Sequence, residues 1–441
     1  MISFKTRGWA LLNNGLELAT GLGSIILLTR IFSPGEMGVW FMFIAVFALV
    51  SGLRDALIQP ALVKRVAGNE GPGCHPGVKA NFLAMAAFEM MSNLVVLAVA
   101  LFVQGPLQPL LLIYGSYSVP NAWFRWQTFF LRAHLNIRTI ALSNALVALI
   151  QWAGFLWIWH GQQPLTMLIV ALGAASVAGI VIGAPAIPYV MIFRANITRS
   201  EVYHTLRFGG YAMLREATSA VSSRISLFYA SALISTQHAA WLGVSQRFAQ
   251  LFLLPNQAIQ SILFPGLVAR VNQQELSHAR LLFHQMLAQL IAFTLPVALL
   301  VSLASPFLLE QLHGASYREA GYLLGLYVMV AALITPLGTA FGSLVTALGK
   351  PHLATQVVFV NSAINILLSF ALMHAWGLPG APVAMVLTEV FGIFWVTRIL
   401  KKEANLALGD TWREVARIYI NIFRQLRAVA ENNVIKKWQW K

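Results

Sequence analysis

Ionisable side chains inside long apolar runs are the residues of this sequence with chemistry available to them. Glu17, Glu89 and Glu389 are carboxylic acids in otherwise apolar surroundings, and Asp55 follows directly on Arg54. Arg125, Arg215, Arg224 and Arg247 add further guanidinium groups, with Glu216 beside Arg215. An ionised group at the centre of a lipid bilayer costs about 2.5–3.5 kcal/mol on insertion scales, so each needs a compensating role or partner. Arginine stays charged at every accessible pH and offers a planar fork that bonds two oxygens at once, which suits phosphate and pyrophosphate. Arg54, Arg125, Arg215, Arg224 and Arg247 are therefore candidates to line a cationic cavity for an anionic headgroup. Asp55, Glu17, Glu89 and Glu389 are candidates for ion coupling or for pairing with those arginines. Ser219, Ser222, Ser223 and Ser226 add hydroxyl donors suited to a sugar.

Structural readings of the same residues stand beside this one. Arg54 and Asp55 can neutralise each other or their neighbours, although adjacent helical residues point about 100° apart. Arg125 can snorkel to the membrane interface. Arg215 and Arg224 are nine residues apart, about half a turn out of phase, so a straight helix does not aim both at one cavity. Asn13 lies one turn before Glu17 on the same face.

The elements that hold these residues follow from composition. The chain has 441 residues, 58% of them hydrophobic and 10% charged, with a mean hydropathy of +0.70. Soluble globular chains carry about 25% charged residues, so this sequence reads as an all-α polytopic membrane protein. About twelve stretches reach the roughly 20 residues needed to cross a bilayer. They lie near 8–30, 37–62, 81–103, 107–130, 139–159, 164–193, 208–234, 240–264, 284–311, 320–347, 353–374 and 380–399. Gly15, Gly21, Gly23, Pro255, Pro296 and Pro336 permit bends or close helix contact within them.

The net charge of +15 is placed against lipid rather than nucleic acid. One set of loops carries Lys5, Arg7, Lys64, Arg65, Lys79, Arg132, Arg138, Arg194, Arg199, Arg207, Arg270, Arg280, Lys350, Lys401 and Lys402, and the opposite set only Arg30 and Arg318. The positive-inside rule then puts both termini in the cytoplasm, which needs an even number of spans. Residues 1–200 and 201–400 are expected to form two six-helix halves of equal orientation, related by a pseudo-twofold along the membrane normal. A recurrent motif supports the halves: Pro60-Ala61-Leu62-Val63-Lys64-Arg65-Val66 returns as Pro265-Gly266-Leu267-Val268-Ala269-Arg270-Val271. The turn Ile31-Phe32-Ser33 with Trp40 returns more weakly as Leu233-Ile234-Ser235 with Trp241.

Residues 401–441 hold nine Lys or Arg against four acids. Trp412, Val415, Tyr419, Ile422, Phe423 and Leu426 recur at helical spacing, with Arg413, Arg417, Arg424 and Arg427 on another face. That pattern is a basic amphipathic tail, expected on anionic inner-leaflet lipid, with a protein partner as the alternative. The single cysteine, Cys74, permits no internal disulfide. No cleavable signal peptide and no lipidation motif is evident. No phosphate-binding Gly-rich Lys loop, His/Cys metal cluster or serine elbow is present in the sequence, and the loops are short. The expectation is a transporter and not an enzyme, with no cofactor and no metal.

The turn Leu28-Thr29-Arg30-Ile31-Phe32-Ser33-Pro34-Gly35-Glu36-Met37-Gly38, with Pro60 to Arg65 closing the second helix, resembles the polysaccharide or O-antigen (Wzx-type) flippases. These belong to the multidrug/oligosaccharidyl-lipid/polysaccharide exporter superfamily. The resemblance spans roughly residues 1–400 and implies export of an undecaprenyl-pyrophosphate-linked oligosaccharide across the bacterial inner membrane. It further implies alternating access around a cationic cavity, an ion gradient as driving force, and polysaccharide polymerase or other assembly proteins as partners. A multidrug antiporter of the same fold is the rival, although export of organic cations favours an acidic pocket. A membrane polysaccharide polymerase is the more distant alternative, and such enzymes carry a long outer loop.

Overall fold

The computed structural model describes residues 4–66, 75–252, 255, 266–271, 273–406, 409–421 and 424. Cys74, Pro265, Ile422, Phe423, Leu426 and Arg427 lie outside the described residues. Among the described residues every regular element is a helix. In chain order they are α1 (Phe4–Ile31), α2 (Pro34–Val66), α3 (His75–Phe102), α4 (Gln108–Leu112), α5 (Gly115–Ala133), α6 (Ile137–Gly161), α7 (Thr166–Gly183) and α8 (Tyr189–Arg194). There follow α9 (Arg199–Leu233), α10 (Thr236–Ala249), α11 (Leu276–His313), α12 (Gly321–Leu333), α13 (Thr335–Ala347), α14 (Pro351–Trp376) and α15 (Gly380–Ala404). Eight helical stretches among the described residues are long and apolar enough to span a membrane. Three of the remaining expected spans fall on α1, the α4–α5 pair and α9, which are helical but shorter or more polar. The fourth, near 240–264, begins on α10 and beyond residue 252 lies largely outside the described residues.

The turn before α2 has a local cause. The Ser33 hydroxyl lies 3.4 Å from the Glu36 backbone N–H, and the Glu36 carboxylate accepts from the Ser33 N–H at 2.9 Å. This is a capping box, with Pro34 in the first helical place where no N–H is needed. Before α10, Ser235 plays the same part: it accepts from the His238 N–H at 3.4 Å, and its hydroxyl meets His238 Nδ1 at 2.6 Å. The Ser235 N–H, unlike that of Ser33, goes to the Ala230 carbonyl at 3.0 Å, so only half of the capping box is repeated there. Gly38 is fixed by contact, since a Cβ on it would collide with the Thr236 carbonyl at the start of α10.

Packing divides the chain into two units. The first comprises Met1–Gly243 with Leu312–Gly314. Its central element is α2, flanked by α9, α3 and α5. Helix α9 lies so close to α2 that a Cβ on Gly209 would strike the Leu57 carbonyl. Leu57, Ile58, Leu62, Val78, Met85, Trp126 and Phe129 form the apolar core between these helices. Buried Asn81 ties three of them together, donating to the Ile58 carbonyl and accepting from Trp126 Nε1, both at 3.1 Å. At the C-terminal end of α1, Arg30 Nε donates to the Leu312 carbonyl at 3.0 Å, a cation on the last carbonyls of a helix.

The second unit comprises Val244–Gln311 and Ala315–Lys441. Its core gathers Phe283, Met286, Leu290, Phe341, Leu344 and Val396. Pro336 has no N–H, which leaves the Ala332 carbonyl four residues back without its helical donor. The Thr294 hydroxyl stands 3.0 Å from that carbonyl and 2.8 Å from the Leu290 carbonyl, so its one proton is shared between the two. The described part of the tail is helical over 409–421. Val415 is buried in the same core with Ile418 and Tyr419 against it, and the Tyr419 hydroxyl donates to the Ala292 carbonyl at 3.0 Å. The apolar face of this segment therefore packs on α11, while Trp412 and Arg417 remain exposed.

Candidate functional site

Four of the charged residues read from the sequence meet inside the first unit. Arg54 is 2% exposed and gives Nε and Nη2 to Asp55 Oδ1 at 3.0 and 2.9 Å. Its Nη1 donates to Glu89 Oε2 at 3.0 Å. Asp55 turns its second oxygen to Arg125, whose Nε lies 3.1 Å away. Adjacent residues on a helix diverge, yet Arg54 reaches Asp55 with both Nε and Nη2. Three helices contribute: α2 gives Arg54 and Asp55, α3 gives Glu89, and α5 gives Arg125.

Amides complete the network. Asn121 Oδ1 accepts from Arg54 Nη2 at 3.3 Å, and Asn93 Nδ2 donates to Glu89 Oε1 at 3.0 Å. Two arginines and two acids balance in formal charge, which permits their burial. Their exposure is graded. Glu89 is 5% exposed, Asp55 19% and Arg125 39%. Arg125 is thus the accessible cation of the network, steadied by Asp55 on one side and by the Phe129 ring 5.0 Å from its guanidinium. A groove of about 590 Å³ opens beside Glu89 and Asn93, walled by apolar residues including Met90, Leu94, Leu97 and Trp123.

The remaining candidates are placed elsewhere. Arg215, Glu216 and Arg224 lie on α9 in the first unit. A Cβ on Gly52 would lie 3.5 Å from Glu216 Oε1, which sets this part of α9 level with the Arg54 turn of α2. Arg224 is about 12 Å farther along the helix than Glu216, at 1.5 Å per residue, where its Nη1 is 3.2 Å from the Ser223 hydroxyl. Glu17 on α1 accepts from Asn13 Nδ2 and Asn144 Nδ2, both at 2.9 Å, forming a separate polar cluster with α6. Arg247 and Glu389 belong to the second unit. Arg247 is exposed, with Nη1 3.1 Å from Gln250 Oε1, and Glu389 is partly buried on α15.

Known proteins give the family and the fold. Residues 27–321 match a family described as polysaccharide biosynthesis protein. The chain belongs to that family. The resemblance carried by Leu28 to Gly38 and by Pro60 to Arg65 is borne out at this level. Its sequence is 21% identical over 378 residues to the probable low-salt glycan biosynthesis flippase Agl15 of Haloferax volcanii, covering 82% of this chain and 76% of the relative. Its fold is similar to that of the lipid II flippase MurJ in an inward closed conformation, with a TM-score of 0.71, 14% identity, and coverage of 96% and 92% of the two chains. An inward-facing MATE multidrug transporter of the MOP superfamily gives a TM-score of 0.66 at 13% identity, covering 90% of this chain and all of that one. The polysaccharide biosynthesis protein described here is thus an all-helical membrane protein with a transporter fold.

Residues of this family member that sequence reasoning passed over complete both clusters. Asn93 stands four residues after Glu89, as Glu17 stands four after Asn13. An amide one helical turn from an intramembrane acid was therefore a readable signal. Asn121 and Asn144 carried no such signal, because their partners come from other helices.

Proposed function

We propose that this protein is a flippase that carries an undecaprenyl-pyrophosphate-linked oligosaccharide from the inner to the outer leaflet of the bacterial inner membrane. The observation that carries the reading is the Arg54–Asp55–Glu89–Arg125 network, buried at Arg54 and Glu89 and open at Arg125, set between α2, α3 and α5 of a polysaccharide biosynthesis protein. Likeness to Agl15, a probable glycan biosynthesis flippase, and to the fold of MurJ, a lipid II flippase, supports it.

In this reading Arg125 is the group that meets the headgroup. It is the exposed end of a chain of charges, and a pyrophosphate taking Asp55's place replaces a single carboxylate contact on Nε by an oxyanion able to meet both arms of the guanidinium fork. Arg54 and Glu89 hold Asp55 in place. Arg215, Arg224 and Arg247 add cationic character along the path, and Glu17 with its two amides is the candidate coupling acid. Two six-helix halves, residues 1–200 and 201–400, alternate access with both termini cytoplasmic. The protein transports and does not catalyse bond chemistry, and polymerase or other assembly proteins receive its cargo. The basic tail beyond α15 meets anionic lipid.

The rival reading, a multidrug antiporter, shares the fold of the MATE transporter. A deletion strain separates the two. Accumulated lipid-linked glycan should stay shielded from a membrane-impermeant glycan probe in intact spheroplasts and become reactive after permeabilisation. Unchanged glycan with altered drug sensitivity would favour the antiporter.

A further inference from the structure

Where α2 ends and α3 and α9 begin, the first unit holds a cavity of about 430 Å³ whose lining includes Lys64, Arg65 and Arg207. Glu201 is the one carboxylate among its lining residues, and His204 adds a ring nitrogen. The permanent charges leave an excess of two positive, in contrast to the balanced network around Arg54.

The cations are held in place. Arg65 pairs with Glu201 through one terminal nitrogen. The Lys64 ammonium lies 4.3 Å over the Phe208 ring, and the Arg207 guanidinium 5.9 Å from the Tyr203 ring centre. Aromatic faces steady a cation without neutralising it. Arg65 Nε is buried with no hydrogen-bond partner among the described residues. Gly77, in the first turn of α3, provides the space for that guanidinium, since a Cβ there would run into Arg65 Nε and stand 3.0 Å from Glu201 Oε2. The first turn of a long helix is also the positive end of its dipole. Two arginines, a lysine and a helix start around one cavity match a phosphate or pyrophosphate ester, which carries several acceptor oxygens and more than one negative charge.

We infer that this cavity is a docking site for the phosphate or pyrophosphate headgroup of a membrane lipid, occupied before the headgroup moves toward Arg125. The inference rests on the flippase reading and adds to it a place where cargo is first held. Under the orientation proposed above, the site faces the inner leaflet. General attraction between basic loops and anionic lipid does not need Gly77 to be a glycine, so that residue separates a built site from a diffuse field.

The test uses full-length protein in nanodiscs of phosphatidylcholine, with binding of undecaprenyl pyrophosphate measured by native mass spectrometry. Arg207→Gln and Lys64→Gln should each weaken binding about 5–30-fold, as expected for loss of one charge-assisted contact. Gly77→Ala should weaken it about tenfold with no charge removed, through displacement of Arg65. Arg132→Gln, an exposed cation outside the cavity, should leave binding unchanged. Inorganic pyrophosphate should compete for the site, and phosphatidylglycerol should bind more weakly than the pyrophosphate lipid. Equal loss in Arg132→Gln and Arg207→Gln would overturn the inference. So would failure of inorganic pyrophosphate to compete, and equal affinity for phosphatidylglycerol would overturn the docking role. If Gly77→Ala lowers the melting temperature, the exposed Arg207→Gln variant carries the decision. Failure of the flippase reading would appear in the leaflet assay of the wild-type protein. Failure of this site alone would appear as undiminished binding in variants of a protein that still moves glycan.

Discussion

Removing Arg54 would leave Glu89 buried without its cation, and breaking a buried pair in this way costs about 3–5 kcal/mol. Arg54→Ala should therefore lower the melting temperature sharply as well as stop export. The double variant Arg54→Met/Glu89→Leu removes one charge of each sign and leaves Asp55 with Arg125. It should regain most of the lost stability in a thermal melt, yet export should stay low because Asp55 is no longer held for Arg125. Restored export in the double variant would make the network a structural element only. Arg125→Ala should leave the melting temperature nearly unchanged, because the residue is 39% exposed and Asp55 keeps Arg54. Glycan export should fall at least about tenfold and return in part with Arg125→Lys, which keeps charge and loses the fork. The cost of burying charge made these four residues legible in the sequence. Their meeting was not legible, because it depends on how three helices are rotated against one another. Lys64, Arg65 and Arg207 were legible only as basic loop residues, since a cavity has no signature along the chain.

At the scale of elements, apolar length and turn chemistry located the helices, and the Ser33–Glu36 capping box explains why the family turn begins α2 where it does. Helix contact was harder to read. Gly209 looks like any glycine in a span, but only a residue without a Cβ lets α9 approach the Leu57 carbonyl. Gly209→Val should separate α9 from α2 and lower the melting temperature, whereas Gly210→Ala, where a Cβ would meet nothing within 4 Å, should be tolerated. Thr294→Val should cost about 1–3 kcal/mol by leaving the Ala332 carbonyl without a donor in an apolar interior. That effect should disappear in a Pro336→Ala background, where the helix supplies its own N–H, and persistence of the full loss would contradict this role for Thr294. In the tail, helical periodicity identified an apolar face and assigned it to inner-leaflet lipid, whereas within 409–421 that face is covered by the protein itself. Val415 and Tyr419 pack on α11, a pairing that emerges only once the second unit is folded.

At the scale of the whole molecule, composition and loop charge led to a polytopic helical protein, and family membership and transporter fold agree with that reading. The proposed orientation makes a direct prediction in a Cys74→Ser background. Gln162→Cys, at the end of α6, should react with an impermeant maleimide from outside the cell. Asn196→Cys, between α8 and α9, should react only after access to the cytoplasm, and the reverse pattern would invert the topology. The central claim is movement of a lipid-linked glycan through a path that needs the buried network. The most direct test is reconstitution of purified protein into liposomes containing an undecaprenyl-pyrophosphate oligosaccharide, with leaflet exposure read by an impermeant glycosidase. Wild-type protein should expose the inner-leaflet pool at a rate well above protein-free liposomes, and folded Arg125→Ala protein should not. An inner pool that stays protected with wild-type protein under every imposed ion gradient, or one released equally by Arg125→Ala, would contradict the account.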